Sequence, residues 1–305
     1  MTKLKVLDLF SGIGGFTEGL QRTGHFETSA FCEIEEPCQK VLKKNWPDVP
    51  IYTDITKLTA KTLNDDGIYP DVITGGFPCQ DISIGSKSAE GLNGERSGLW
   101  FEYKRLIDAV GPRFAIVENV FTLQSRGLDR ILWDLAEIGY DATWTMFDSQ
   151  YFDYPQRRRR IYILAARDGI PAGVEVFDAD KRTGLDAPEG FADFEQSRIR
   201  AIATGAGEQE GIAYFTRQRS DEYANNGVAS TITKRDYKQF TDLVVHPDGT
   251  VRRIMPHERL RVHGFPDTHF ENTGLTKSQQ FEWNGMSTQV IEHIGGQLYG
   301  KLVHV

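Results

Sequence analysis

The sequence predicts an α/β protein: a mostly parallel sheet covered on both faces by helices, followed by a smaller, loop-rich unit. Three observations lead there. Short apolar runs alternate with helical patterns through the first half of the chain, which is how a parallel sheet with crossover helices reads. The runs end in glycine-rich or acidic turns. From Asp168 to about Gly249 the texture changes to Gly, Asp, Glu and Thr without βα alternation.

The elements follow in order. Leu4 to Phe10 is a buried strand that leads into Ser11-Gly12-Ile13-Gly14-Gly15-Phe16, with a helix onward to about Arg22. Thr28 to Glu33 is a second strand and Glu35 to Asn45 a helix; Ile51-Tyr52 is a short strand ending at Asp54. Asp71 to Thr74 is a fourth strand and Trp100 to Val110 a helix. Phe114 to Glu118 is a fifth strand, with a helix near Leu128 to Ile138. Thr143 to Asp148 and Ile161 to Ala166 supply two more strands, and Gln289 to Leu298 a helix with Val290, Ile291 and Ile294 on one face.

At 305 residues, 39% hydrophobic and 26% charged, the chain has room for one large α/β domain and a smaller companion. No apolar run approaches the roughly 20 residues of a membrane-spanning helix. The N-terminus runs straight into a strand without a secretory leader. Cys32, Cys38 and Cys79 make neither a disulfide framework nor a metal-ligand cluster, so a reducing cytoplasm is the expected location. The formal net charge of -8 argues weakly against nucleic acid, yet the basic residues cluster. Arg157 to Arg160 are one run. Arg217, Arg219, Lys234, Arg235 and Lys238 form a second group, and Arg252, Arg253, Arg259 and Arg261 a third. Solvated basic faces or a basic groove both account for them.

Gly75-Gly76-Phe77-Pro78-Cys79-Gln80 places one cysteine on a glycine-rich turn after a strand, at the sheet edge where α/β proteins bind ligands. A buried structural cysteine is the competing reading. Phe10 to Gly15 occupies the first ligand loop of a Rossmann-type sheet, without the dinucleotide spacing. Glu33 is suited to a ribose diol and Asp54 to an adenine amino group, although turn duty explains Asp54 equally well. Together these loops favour a nucleoside cofactor without saying which.

Asp8-Leu9-Phe10-Ser11-Gly12-Ile13-Gly14-Gly15-Phe16, Gly76-Phe77-Pro78-Cys79-Gln80, Glu118-Asn119-Val120 and Gln156 to Arg160 occur in that order. Arg253 to Glu258 with Gly264-Phe265-Pro266-Asp267 follows, then Gly285-Met286-Ser287. The series resembles the DNA (cytosine-5) methyltransferase family over nearly the whole chain. The resemblance implies a Rossmann-like S-adenosylmethionine-dependent methyltransferase domain at 1–168 plus 282–305, and a smaller, loop-rich target-recognition domain at 169–281. It implies a monomeric prokaryotic cytoplasmic enzyme, nucleoid-associated while it acts on double-stranded DNA. Whether a separate cognate restriction endonuclease exists stays open.

On the same resemblance the thiolate of Cys79 adds to C6 of cytosine, and C5 then takes the sulfonium methyl. Glu118 stabilises the base at N3. Arg158 binds the cytosine O2 and helps hold Cys79 and Glu118; Arg160 supports the active-site loop. Phe10, Ser11, Gly12, Ile13, Gly14, Glu33, Ile34, Asp54, Ile55, Pro78, Leu99 and Ser287 are the expected cofactor contacts. Residues 80 to 97 match the family's mobile loop. Gln80, Ser83 and Arg96 within it, and Thr231, Lys234 and Arg235 in the variable region, are the expected DNA contacts. An extruded cytosine is required, because C5 and C6 are hidden in the duplex stack.

The last block departs from the usual Gly-Asn-Ser-Val: Met286 stands where asparagine would donate and accept near the cofactor carboxylate, with Ser287 or a backbone amide left to compensate. A tRNA cytosine methyltransferase would use the same Cys79 and Glu118, but such relatives carry a shorter recognition region. A nicotinamide oxidoreductase leaves Pro78-Cys79 and the arginine block unexplained, and a non-catalytic DNA-binding protein leaves Cys79, Glu118 and Arg158 unexplained.

Overall fold

The computed structural model describes residues 2–78, 98–152, 156–168, 212–216, 223–224, 243–246 and 248–303, with backbone alone at 212–216 and 223–224. Its described residues fall into two compact units, Met1–Phe147 with Arg159–Thr183 and Ile291–Val305, and Asp148–Arg158 with Gly184–Val290. Among them no helix is long and apolar enough to cross a membrane.

The first unit is built on a seven-stranded sheet. In chain order its elements are β1 (Leu4–Leu9), α1 (Gly15–Arg22), β2 (Phe26–Cys32), α2 (Glu36–Asn45), β3 (Ile51–Tyr52), α3 (Ala60–Asp65) and β4 (Val72–Gly75). There follow α4 (Leu99–Val110), β5 (Phe114–Val120), α5 (Leu123–Arg126), α6 (Leu128–Glu137), β6 (Tyr140–Asp148) and β7 (Arg159–Arg167). The strand order is β3-β2-β1-β4-β5-β7-β6. The first five strands pair in parallel, and β7 runs antiparallel to β5. The chain winds outward from β1 in one direction through β2 and β3, and in the other through β4 and β5. That reversal opens a crevice at the carboxyl ends of β1 and β4, the place where open α/β sheets bind ligands.

Sequence explains the layers. β1, β4 and β5 are near-continuously buried, as strands covered on both faces must be. Helix α4 turns Trp100, Tyr103, Leu106 and Ile107 inward at helical spacing. On α6 the inward stripe of Leu128, Ile131 and Leu135 also contains Asp134, which is fully buried. That carboxylate accepts from Trp100 Nε1 at 2.8 Å and Arg130 Nε at 2.9 Å, with Lys104 Nζ at 3.3 Å, so its burial is matched by donors. α2 starts with Pro37 in its first turn, where a missing amide costs nothing.

The second unit contains β8 (Ile212–Thr216), β9 (Tyr223–Ala224), β10 (Leu243–Val245), β11 (Val251–Arg253) and α7 (Pro256–His263). Its strands form an antiparallel sheet in the order β11-β10-β8-β9. A last helix, α8 (Thr288–Val303), closes the chain. Gly295 on α8 sits against Leu20, Phe26 and Thr23; a Cβ there would lie 2.7 Å from Leu20 Cδ2.

Sequence reading missed α3, α5 and α7. It also stopped β5 two residues early and began β7 two residues late, so that Arg158 precedes the strand and Arg160 lies within it. The third basic cluster, left open between a solvated face and a basic groove, is largely paired within the fold. Arg252 forks onto Glu258 at 2.9 and 2.7 Å, Arg261 pairs with Asp267, and Arg259 is 2% exposed over the Phe281 ring. Neutralising local carboxylates and stacking on an aromatic ring took precedence over forming a surface; of the four, Arg253 alone is exposed. The second cluster, apart from its sequence, lies outside the described residues.

Candidate active site

The carboxyl end of β1 turns sharply. Phe10 and Gly12 both adopt left-handed backbone, with φ of 52° and 54°, and Gly14 follows at 88° as the cap of α1. A Cβ on Gly14 would lie 2.4 Å from the Trp46 ring, whereas one on Gly12 meets nothing within 4 Å. Gly14 is therefore needed for packing, and Gly12 leaves open space over the loop. Ser11 Oγ donates to the Asp8 carbonyl at 2.5 Å, and Ile13 is buried.

β2 supplies the partner of that loop. Glu33 is 7% exposed, and its carboxylate accepts from the Gly12 amide and the Glu35 amide, each at 2.7 Å. Burial pushes its pKa up, while those two amides pull it back. Next to it Ile34 is 73% exposed, an apolar side chain held open at the strand end. Asp54, after β3, accepts the Thr56 hydroxyl at 2.7 Å and the Thr56 amide at 3.0 Å, so it serves the turn; those bonds hold its carboxyl below the usual range. Ile55 is buried and Leu99, at the start of α4, half-buried.

The turn after β4 reaches Pro78, half-buried and the last residue described before Cys79. The side-chain amide of Asn119 on β5 donates to the Phe77 carbonyl at 3.2 Å, tying that turn to the strand beside it. Asn119 is preceded by Glu118, 9% exposed. Arg160 on β7 lies diagonally across the β5–β7 ladder, its Nε 3.1 Å from Glu118 Oε1. The pair is an ion pair and not an aligned hydrogen bond, because Glu118 Oε1 is buried and has no hydrogen-bond partner. A buried carboxyl oxygen left that way costs about 1–3 kcal/mol, and such groups mark a ligand's place.

Other cysteines do not compete for a nucleophile's role. Burial, with Glu33 and Asp54 close by, pushes the Cys32 thiol up to about 12, and Cys38 is buried in α2.

Arg158 and Ser287 belong to the second unit. Arg158 is buried, with its amide donating to Asp148 Oδ1 at 2.9 Å. Ser287 is buried and its hydroxyl is engaged by that of Ser149, while Met286 is half-buried. Thr288 Oγ1 donates to the His263 and Gly264 carbonyls, each at 3.2 Å, which fixes the start of α8. Cys79, Gln80, Ser83, Arg96, Thr231, Lys234 and Arg235 lie outside the described residues.

Residues 4–300 match the family model of the C-5 cytosine-specific DNA methylases. The chain belongs to that family. Type II methyltransferase M2.BsuMI of Bacillus subtilis (strain 168) is 36% identical over 311 residues, covering 97% of this chain and 75% of its own. M1.ScrFI of Lactococcus lactis subsp. cremoris is 28% identical over 317 residues, covering 97% and 78%. Among solved structures the S. pombe Dnmt2 methyltransferase superposes with a TM-score of 0.71 at 17% identity, over 98% of this chain and 99% of that one, which shows a shared fold. As a DNA (cytosine-5) methylase the chain is an S-adenosylmethionine-dependent enzyme.

The sequence motif contains Asp8 but gives no role to it or to the hydroxyls around it. Asp8 is fully buried in β1 and accepts Thr17 Oγ1 at 2.8 Å and Thr74 Oγ1 at 3.2 Å. The signal was present: an acid inside the apolar run Val6-Leu7-Asp8-Leu9. Burial raises its pKa to about 7. Folding therefore disfavours the ionised form, so the contribution to stability is fully present below the unfolded value near 3.8 and is lost as pH rises through about 7. Chemical denaturation of Asp8→Asn should show that loss removed, the gap between variant and parent moving by roughly 4 kcal/mol from pH 4 to pH 8. Parallel curves for the two proteins would contradict the assignment.

Proposed function

We propose that this methylase transfers a methyl group to C5 of a cytosine flipped out of a specific duplex sequence, through a covalent bond between Cys79 and C6. The reading rests most on Glu118, whose buried Oε1 lacks a hydrogen bond and which adjoins Asn119, the residue that holds the turn leading to Cys79.

The residues at the carboxyl ends of β1 and β2 fit the cofactor. Gly12 leaves space for close approach, Ile34 offers an apolar face to an adenine, and Glu33 fixes the loop between them. Phe10, Ser11, Ile13, Gly14, Asp54, Ile55, Pro78, Leu99 and Ser287 complete the proposed contacts. When bound, S-adenosylmethionine supplies an electrophilic methyl group. The thiolate of Cys79 adds to C6, breaking the C5–C6 double bond and moving its electron pair toward C5. Glu118 holds a proton at N3 while that density builds, and Arg158 binds O2. Arg160, beside Glu118, holds the carboxyl in place. Once C5 is methylated, loss of its proton to a base and departure of Cys79 restore the double bond and the free thiolate.

Residues 169–281 are the proposed target-recognition domain, with Thr231, Lys234 and Arg235 contacting DNA, as do Gln80, Ser83 and Arg96 from the segment after Cys79. Phosphate contacts of this kind position the enzyme, and base contacts select the site. A cognate endonuclease acting separately is consistent with the Type II naming of its relatives.

Trapping tests the covalent step. Duplex DNA synthesised with 5-fluorocytosine throughout carries no removable proton at C5, so Cys79 cannot leave after methylation. An adduct stable to detergent and mapped to Cys79 is expected. An adduct at another residue, or methylation of ordinary DNA with no trapping, would falsify the mechanism.

A further inference from the structure

Two hydroxyls meet the Asp8 carboxyl, and a third stands behind one of them. With Asp8 ionised, Thr17 Oγ1 donates to its Oδ2 at 2.8 Å, so the one proton of that hydroxyl is spent. Thr28 Oγ1, 2.8 Å from Thr17 Oγ1, must then donate to it. Thr74 Oγ1 donates to Asp8 Oδ1 at 3.2 Å. Donors from α1 and β4 meet a carboxylate in β1, with Thr28 of β2 behind Thr17, an arrangement that serves an ionised acceptor and requires a donor to reverse when Asp8 is protonated.

The Thr17 backbone amide also bonds Asp8. Thr17 is the third residue of α1, and the cap of that helix, Gly14, has no side chain to satisfy its first amides. Asp8 thus does from the neighbouring strand what an N-cap carboxylate does in sequence. The Phe10–Gly14 loop is anchored to Asp8 at both ends: Ser11 Oγ donates to its carbonyl, and α1 sits on its carboxylate. Thr74 is one residue ahead of the Gly75–Pro78 turn. One buried acid therefore joins the cofactor loop to the turn that carries the nucleophile.

We infer that Asp8 is a positioning residue whose ionised form fixes the Phe10–Gly14 loop against the Gly75–Pro78 turn, so that S-adenosylmethionine and its product bind more tightly once Asp8 has lost its proton. The inference rests on the cofactor site proposed above. The titratable groups facing Asp8 are Glu33, beyond β2, and Tyr103 on α4; both are acids, and neither supplies a counter-charge. Burial, holding Asp8 up near 7, places the change in the neutral range, where it tunes the enzyme. The cost to stability of the ionised form is the counterpart of a loop held ready for ligand.

The test is calorimetric titration of the full chain with S-adenosylhomocysteine from pH 5.5 to pH 8.5. Wild-type affinity should rise about tenfold across neutrality, with a fraction of a proton released on binding near pH 7. Asp8→Asn should bind at the weak level with no such rise and no release beyond the ligand's own titration, which is common to both proteins. Thr74→Val, which loses one donor and keeps the carboxylate, should move the midpoint to higher pH; it also carries the test should Asp8→Asn fail to fold. Identical pH profiles in wild type and Asp8→Asn, or an unmoved midpoint in Thr74→Val, overturn the inference alone. No binding by wild type at any pH overturns the cofactor reading, and this inference with it.

Discussion

Cys79→Ala is expected to lose methyl transfer by at least about 10⁴-fold while still binding its DNA site and S-adenosylhomocysteine. C5 of cytosine is a poor nucleophile because its electrons are drawn into the ring. Addition of a thiolate at C6 converts C5 into the end of an enamine, and Cys79 is the residue proposed to supply that pair of electrons. Cys32 cannot substitute, since its thiol is buried beside carboxylates and pushed up to about 12. Single-turnover assays separate the loss of chemistry from any change in affinity. Turnover near the wild-type rate would remove Cys79 from the mechanism.

Glu118→Gln comes second in expected effect, a loss of about 10²–10⁴-fold in kcat, the usual contribution of one acid–base group. Glutamine nearly preserves the shape of the side chain and can donate a hydrogen bond to the base, but it cannot transfer a proton. Two contacts give the variant a good chance of folding: β5 keeps its ladder with β7, and Asn119 keeps its bond to Phe77. The prediction is a fall in kcat with KM for DNA little changed. A rise in KM alone would instead assign Glu118 to uniform binding.

How far the sequence could be read depended on which interactions were local. β1, β4 and β5 were legible because a strand buried on both faces is written as an apolar run, and each run ends in a turn with unusual residues. α7 was not, though Pro256 at its first position and Glu258 accepting the Met255 amide at 2.7 Å are readable start signals. Its buried residues include Glu258, Arg259 and His263, so apolar periodicity was weak. α3 is only six residues long, and its one cue was Thr59, whose side chain caps Thr62. The arginines of the third cluster looked like a surface because sequence does not display Glu258, Asp267 and Phe281 as their partners. Glu118 and Phe10 to Gly14 were legible as motifs; the Asp8 network was not, since Thr17 and Thr74 meet Asp8, and Thr28 meets Thr17, only after α1, β2 and β4 pack together.

This family member is proposed to methylate cytosine in duplex DNA at one sequence. Incubation with unmethylated genomic DNA and S-adenosylmethionine, followed by mapping of 5-methylcytosine at single-base resolution, tests it directly. Methylation is expected to be confined to a single short motif. Methylation absent from DNA and present on RNA, or scattered over cytosines without a common sequence, would contradict it.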